Sequence, residues 1–206
     1  RTWPVSGTFD ARQKTAYNAV LSSQIAAIDK VRPGVRYREV HMTASRVLAE
    51  YLVDEGLLTC SVEDALETGA QAIFFPHGVG HLLGLDVHDM ENFGDRVAYP
   101  SHRNRSDQFG TGYLRLDLDL EPGMCVTVEP GFYVVPAILH NASLREKFNT
   151  QVDFARAEEW VGFGGIRIED DVLVTSDAPD VLSQNIPKTI DAVEKIVGSN
   201  PSPTSL

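Results

Sequence analysis

The chain contains 206 residues, a length that corresponds to one large domain or two small ones. Hydrophobic residues make up 43% and charged residues 23%, a composition that excludes disordered, collagen-like and coiled-coil chains. The formal net charge of −11 has the wrong sign for a protein that binds a phosphate backbone, so we expect no nucleic acid partner.

Helical patterns occupy both ends of the chain. Asp10 and Gln13 form a capping-box pattern, and apolar residues then recur at helical spacing until Pro33 and Gly34. A second periodic segment follows and ends at Gly56. The sequence therefore predicts helices over about 10–32, 37–55, 61–68 and 187–197.

Short β-rich runs, separated by Gly, Pro and polar turns, occupy most of the chain from about residue 70 onward. We interpret these runs as strands of one curved antiparallel sheet. Helices followed by strands indicate an α+β architecture and not the regular βαβ alternation of a parallel sheet. The predicted strands cover 72–75, 114–120, 124–128, 131–135, 165–168 and 172–175.

The cysteines and the lack of long apolar runs indicate a reducing compartment inside the cell. Cys60 and Cys125 permit at most one disulfide, and both lie beside apolar residues, where buried thiols are common. No apolar run approaches the roughly 20 residues of a membrane-spanning helix, and residues 1–6 lack a signal-peptide pattern. We therefore expect a cytoplasmic protein without a membrane partner.

Histidines cluster in the segment HGVGHLLGLDVHD at 77–89, where His77, His81 and His88 are half of the chain's 6 histidines. Neutral imidazole binds divalent metals and also titrates near neutral pH, so the cluster suits metal binding or proton transfer. The Glu of the zincin pattern HExxH is absent. A single histidine in a glycine-rich turn is more often structural, whereas three together favour a functional site.

Acidic residues follow predicted strands in two further segments. Glu129 follows the apolar run 124–128, where a buried carboxylate is costly unless it is paired or binds a metal. In GIRIEDD at 165–171, strand alternation places Arg167 and Glu169 on one face and the isoleucines on the other. Each segment alone is also compatible with an exposed turn, so neither assigns a function by itself.

Together the segments resemble the creatinase/aminopeptidase family of metallopeptidases, whose catalytic domain has the pita-bread fold. HGVGHLLGLDVHD at 77–89, LEPGMCVTVEPGFY at 120–133 and GIRIEDD at 165–171 occur in the family's order. The composite is more similar to the proline-specific branch, Xaa-Pro aminopeptidases and prolidases, than to methionine aminopeptidases. The resemblance implies a curved antiparallel sheet covered by helices, with a partial pita-bread catalytic domain over 1–198 and a flexible tail over 199–206.

The resemblance also implies a metal centre. By position in the motifs, the ligands in this chain are His81, Glu129 and Glu169, and Glu169 bridges two ions. The implied cofactors are two divalent metal ions, with manganese the usual metal of this branch and cobalt or zinc as alternatives. Two such ions activate a bridging hydroxide and stabilise the developing oxyanion, so no side-chain nucleophile is needed.

Three more residues have catalytic roles that the resemblance implies. His77 and His88 line the substrate pocket, where they donate hydrogen bonds or transfer protons around the scissile carbonyl and the proline nitrogen. Arg167 orients that network from the strand face that it shares with Glu169. The implied substrates are peptides with proline in the second position, and the expected assembly is a homodimer.

The family's site has two further ligands, aspartates that precede the position of Arg1 in the family pattern, as do the first strands of the domain. The resemblance therefore implies an N-terminally truncated domain, and we expect residues 1–206 alone to be inactive.

Several functions stay open at this point. We favour an Xaa-Pro aminopeptidase, because the segments 92–112 and 136–164 are similar to the longer loops of aminopeptidases. The first alternative is an Xaa-Pro dipeptidase, or prolidase. A non-catalytic pita-bread module that binds peptides or proteins is another, and a creatinase-like carbon–nitrogen hydrolase is the last.

Overall fold

The fold is described by a computed structural model over residues 1–197, and the predicted tail 199–206 lies outside the described residues. Long helices precede most of the strands, which confirms the α+β architecture. No described helix is both long enough and apolar enough to cross a membrane. The helices are α1 (Ala11–Lys30), α2 (Tyr37–Asp54), α3 (Val62–Thr68), α4 (Asp95–Ala98), α5 (Pro136–Leu139), α6 (Ala142–Lys147), α7 (Phe154–Glu158) and α8 (Ile190–Val197).

Local signals place the ends of these helices. The Gln13 backbone amide donates to the Asp10 side chain at 2.8 Å, and the Asp10 amide donates to the Gln13 side chain at 3.0 Å, which confirms the capping box. Gly56 follows α2 with φ +69°, a left-handed conformation that glycine adopts without strain. The last helix begins at Ile190 and not at Pro187: the Val193 amide donates to the Thr189 carbonyl at 2.9 Å, whereas the Pro187 carbonyl accepts from Arg1 at 3.1 Å.

The described residues form antiparallel strands in two sheets, not in the single sheet that the sequence predicted. The strands are β1 (Leu82–Leu83), β2 (Cys125–Val128), β3 (Gly131–Tyr133), β4 (Gly165–Arg167), β5 (Asp170–Leu173) and β6 (Asp180–Val181). One sheet has the order β1-β2-β5-β6, and the other pairs β3 with β4. The sheets separate because Pro130, which lacks an N–H, interrupts β2 and β3, while residues 168–169 interrupt β4 and β5.

Two of the predicted strands are wrong. Residues Ala70–Ile73 form a 3-10 turn after Gly69, whose φ of +84° ends α3 and redirects the chain. The segment 114–120 is extended, but it hydrogen-bonds the connection between α1 and α2 and forms only the isolated bridge of Asp119 with Arg36. Both apolar segments therefore pack into the core without joining a sheet.

The strands share one hydrophobic core with the helices. α1 and α2 pack against each other, and α1 also contacts β2, β3 and β4. Phe132 in β3 lies at the centre of an aromatic group formed with Tyr51, Phe74, Trp160 and Phe163. The helices therefore cover the strands. Cys60 and Cys125 are free thiols, and both are half-buried.

A buried carboxylate connects distant segments to β5. Asp170 is buried and accepts hydrogen bonds from Arg1, Gln24 and Lys188, each at 2.6 Å, and from Ser183 at 2.7 Å. Burial alone raises the pKa of Asp170, but the hydrogen bonds from these donors outweigh burial and lower it. The Asp170 carboxylate is therefore ionised, and it holds α1 and residues 183–188 against the strand.

We expect Asp170→Asn to lower the free energy of unfolding by about 3 kcal/mol, because it removes the charge that Arg1 and Lys188 surround. Urea unfolding followed by circular dichroism measures the change. The control is Glu63→Gln, which breaks the exposed ion pair with Arg46 and is expected to have little effect. Equal losses in the two variants would contradict the role of Asp170.

His41, in α2, is a fully buried histidine. Its ring centroid lies 5.2 Å from that of Phe75, and its Nε2 lies 3.3 Å from the Ser45 hydroxyl oxygen. Its Nδ1 has no hydrogen-bond partner among the described residues. Burial lowers the pKa of His41 to about 3, so the imidazole is neutral in the folded protein.

This buried histidine predicts a pH dependence of stability. Below its ordinary pKa of 6.5, His41 takes up a proton in the unfolded chain but not in the folded one, so stability falls as the pH falls toward 3. We expect His41→Gln to reduce the loss of stability by up to ~1.4 kcal/mol per pH unit within that range. Urea unfolding at several pH values measures the slope, with the exposed His102→Gln as the control. An unchanged slope in His41→Gln would refute this prediction.

Candidate metal centre

The candidate site lies where the two sheets meet. Glu129 directly follows β2 and Glu169 directly precedes β5, and the antiparallel register pairs Val128 with Asp170. This register places the two glutamates side by side. His81 precedes β1, which pairs with β2, and therefore reaches the same junction.

The structure brings together the three residues predicted as metal ligands. His81, Glu129 and Glu169 each offer one ligand atom, and these atoms lie within 4.8 Å of one another. His81 and Glu129 are buried, whereas Glu169 is half-buried. One imidazole and two carboxylates suit Mn²⁺, Co²⁺ or Zn²⁺. The donor set thus fits a divalent cation, and the assignment of these residues as ligands stays a prediction.

Glycine allows the His81 loop to lie directly against β2. A Cβ on Gly80 would lie 2.1 Å from the carbonyl oxygen of Thr127, a distance that no side chain tolerates. At this close approach the Thr127 amide donates to the His81 carbonyl at 3.0 Å, and the Glu129 amide donates to the Val79 carbonyl at 2.7 Å. A larger residue at position 80 would therefore move His81 away from the carboxylates.

Hydrogen bonds orient the His81 imidazole. Its Nδ1 donates to the Leu82 carbonyl at 2.9 Å, which directs Nε2 toward Glu129 Oε1 at 3.3 Å. Metal-binding histidines commonly donate from one ring nitrogen in this way and present the other to the metal. Burial alone lowers the pKa of His81, but the hydrogen bonds to Glu129 and to the Leu82 carbonyl, together with the charge of Glu129, outweigh burial and raise it. Nε2 of His81 is therefore a place where a proton is stabilised, and where a metal ion would take the place of that proton.

Both carboxylate oxygens of Glu129 are held. The Thr127 hydroxyl donates to Oε1 at 3.0 Å, and Arg167 Nη1 donates to Oε2 at 2.8 Å. The same hydroxyl accepts the His81 amide at 3.0 Å, so Thr127 connects two of the predicted ligands. Burial alone raises the pKa of Glu129, but the hydrogen bond from His81 and the charge of Arg167 lower it. Sequence reasoning missed Thr127, although a hydroxyl two residues before Glu129 shares its strand face.

Glu169 has the opposite shift. Burial and the charges of Glu129 and Asp171 raise the pKa of its carboxyl. The Arg1 guanidinium hydrogen-bonds the backbone carbonyl of Glu169 and not its carboxylate. A bound cation would relieve the repulsion between these carboxylates, which is a second reason why the site fits a divalent metal.

His77 lies beside the cluster in a network with Arg167 and Tyr133. Its Nδ1 donates to the Gly78 carbonyl at 2.7 Å, which leaves Nε2 to accept from the Tyr133 hydroxyl at 3.1 Å and from Arg167 Nη2 at 3.2 Å. Burial, with the charge of Arg167, lowers the pKa of His77 to about 4, so its imidazole is neutral near pH 7. Sequence reasoning did not assign Tyr133 a role, although it closes the segment at 120–133.

The two outer histidines have different surroundings. A cavity of about 790 Å³ opens beside His77, which is one of its lining residues. His88 contacts the predicted ligand His81 instead, with its ring centroid 4.3 Å from that of His81 in a T-shaped arrangement, and its side chain is 47% exposed. Of the two histidines expected to line the substrate pocket, His77 therefore faces this cavity and His88 packs on His81.

Proline-specific peptidases are among the curated proteins similar to this chain. It is 37% identical to the Xaa-Pro dipeptidase of Homo sapiens over 193 residues, which cover 94% of this chain and 38% of that protein. It is 42% identical to Xaa-Pro aminopeptidase 1 of Streptomyces coelicolor over 195 residues, which cover 95% of this chain and 33% of that protein. The chain thus spans between 33% and 38% of the length of these two relatives.

Solved structures of aminopeptidases have the same fold. The Pseudomonas aeruginosa aminopeptidase PepP matches with a TM-score of 0.71 at 34% identity, over 96% of this chain and 37% of that one. Zinc-substituted Escherichia coli aminopeptidase P in complex with product matches with a TM-score of 0.69 at 31% identity, over the same shares. These matches confirm the pita-bread fold. Because the sequence model of metallopeptidase family M24 also matches residues 1–176, the chain belongs to that family.

Proposed function

We propose that the protein containing this chain is a metal-dependent Xaa-Pro aminopeptidase, which releases the first residue from peptides with proline in the second position. The observation that carries the proposal is the convergence of His81, Glu129 and Glu169, which Arg167 connects through Glu129 to His77 in the wall of the cavity. Membership of a metallopeptidase family and similarity to proline-specific peptidases support it.

The proposed cofactors are two divalent manganese ions, held by His81, Glu129 and Glu169. When bound, such ions supply an activated water and stabilise the negative charge that develops on the scissile carbonyl oxygen. The family resemblance implies two further aspartate ligands. That residues 1–206 alone are inactive stays a prediction, which an assay of this chain with Mn²⁺ tests.

The chain's own residues have distinct proposed roles around these ligands. Thr127 and Arg167 keep the Glu129 carboxylate ionised and oriented toward His81. His77, neutral and placed beside the cavity, accepts hydrogen bonds at Nε2 from Arg167 and Tyr133 and is the group there that can exchange a proton through these partners. Together they hold the charges of the site in place and provide a group able to move a proton.

An Xaa-Pro dipeptidase is the second candidate, and one observation favours it. Arg115 lines the cavity beside His77 in an ion pair with Glu91, and a guanidinium released from that pair would be a strong partner for the free carboxylate of a dipeptide. The similarity to the human Xaa-Pro dipeptidase agrees with this candidate as well.

A non-catalytic binding module is less favoured, since peptide binding alone needs no buried carboxylates. A cytoplasmic location and a homodimer belong to the proposal too.

We expect the intact protein to release the first residue of Xaa-Pro-Xaa peptides in the presence of Mn²⁺, and to lose this activity with a chelator. Glu169→Gln is expected to lower kcat/KM by more than about 100-fold, because it removes a predicted ligand. Elemental analysis measures bound metal in parallel, and the exposed Glu158→Gln is the matched control. Full activity in Glu169→Gln, or no bound metal at high Mn²⁺, would contradict the proposal that the protein is a metal-dependent enzyme.

The length of the substrate separates the two peptidase candidates. We expect a tripeptide Xaa-Pro-Xaa to exceed the Xaa-Pro dipeptide with the same first residue by about tenfold in kcat/KM. Initial rates with both substrates at matched Mn²⁺ concentrations measure the ratio. A ratio in favour of the dipeptide would assign the protein as a dipeptidase and leave the metal centre unaffected.

A further inference from the structure

Glu91 lies in the cavity beside His77 and has no part in the cluster of predicted metal ligands. Its Oε2 lies 2.5 Å from Arg115 Nη1 and 3.9 Å from His88 Nδ1. Glu91 and Arg115 both line the cavity. The Glu91 carboxylate therefore neutralises a guanidinium that would otherwise attract an anion entering the cavity.

The position of Glu91 is energetically costly. Its Oε1 is shielded from solvent and has no hydrogen-bond partner among residues 1–197. The preceding residue, Met90, has a φ of +61°, and no other non-glycine residue in that range has a positive φ. An unpaired acceptor and a left-handed methionine next to each other are the kind of local strain that proteins keep at functional sites.

The loop that carries Glu91 is attached to the candidate metal centre. The Asp89 amide donates to the Leu82 carbonyl at 3.1 Å, one residue after His81. Met90 then begins the 3-10 turn Glu91–Phe93. The Glu91 carboxylate is therefore placed relative to the predicted ligands and not on a free surface loop.

We infer that Glu91 is a specificity-determining residue that disfavours substrates whose proline carries a free carboxylate. Such a carboxylate has to displace Glu91 from Arg115 before it binds, and it is repelled by Glu91 until then. A peptide that continues beyond the proline carries a neutral amide at that position and avoids the repulsion. The inference rests on the proposed function and deepens it, because it gives a physical reason for peptides over dipeptides.

A second ion pair in the same cavity provides a matched control. Asp95 lies 2.6 Å from Arg105 Nη2, and both residues line the cavity. Arg105 also donates to the Gly112 carbonyl at 3.1 Å and lies over the Tyr99 ring at 4.9 Å, so other contacts hold it. Asp95→Asn therefore removes the same charge from the same cavity without releasing Arg115.

The test compares two probes of nearly equal shape, N-acetyl-L-proline and N-acetyl-L-prolinamide, which differ in the charge of the carboxyl group. Binding to the full chain is followed by NMR chemical-shift titration. We expect Glu91→Gln to raise the affinity for the carboxylate relative to the amide by about fivefold. Asp95→Asn is expected to leave this ratio unchanged, and adding Arg115→Gln to Glu91→Gln is expected to abolish the gain.

Three results would overturn the inference: an unchanged ratio in Glu91→Gln, an equal gain in Asp95→Asn, or no binding of either probe at millimolar concentration. Glu91→Ala is the second variant, expected to shift the ratio in the same direction, and circular dichroism checks that each variant is folded. Because the readout is binding, loss of peptide hydrolysis with Mn²⁺ overturns the proposed function without deciding the role of Glu91.

Discussion

The side-by-side placement of two carboxylates, Glu129 and Glu169, is the constraint on which the rest of the site depends. The register of β2 with β5 imposes it, because Val128 pairs with Asp170 and each glutamate lies one residue outside that pair. Like charges at a half-buried junction repel each other, and burial together with this repulsion raises the pKa of Glu169. The surrounding residues relieve it, since His81 and Arg167 both bind Glu129.

Two adjacent residues at the start of β5 serve the candidate site and the stability of the fold separately. Strand alternation directs Glu169 to the candidate metal centre and the next residue, Asp170, into the buried network with Lys188 and Gln24. Arg1 connects the two, because its guanidinium binds both the Asp170 carboxylate and the Glu169 carbonyl. A carboxylate that is free to bind a cation and one that is fully neutralised therefore occupy adjacent positions.

Sequence reasoning succeeded where the signal was local or carried by a long motif. The Asp10 capping box and the glycine after α2 placed the first helices, and the motif resemblance selected the residues that converge in space. It failed for 72–75 and 114–120, because apolar β-rich composition does not distinguish a strand from a buried turn or a buried extended segment. Thr127 was missed because its role depends on the His81 amide, which reaches it only after folding.

By itself the sequence determined the first three helices, the α+β class and the chemical types of the predicted ligands, because caps, periodicity and motif order are properties of neighbouring residues. Only the tertiary structure decided that the strands form two sheets, that His77 faces the cavity while His88 packs on His81, and that Glu91 neutralises Arg115. These outcomes depend on strand register and on the packing of distant segments. Both are set by contacts between residues far apart in the chain, and a linear pattern does not record those contacts.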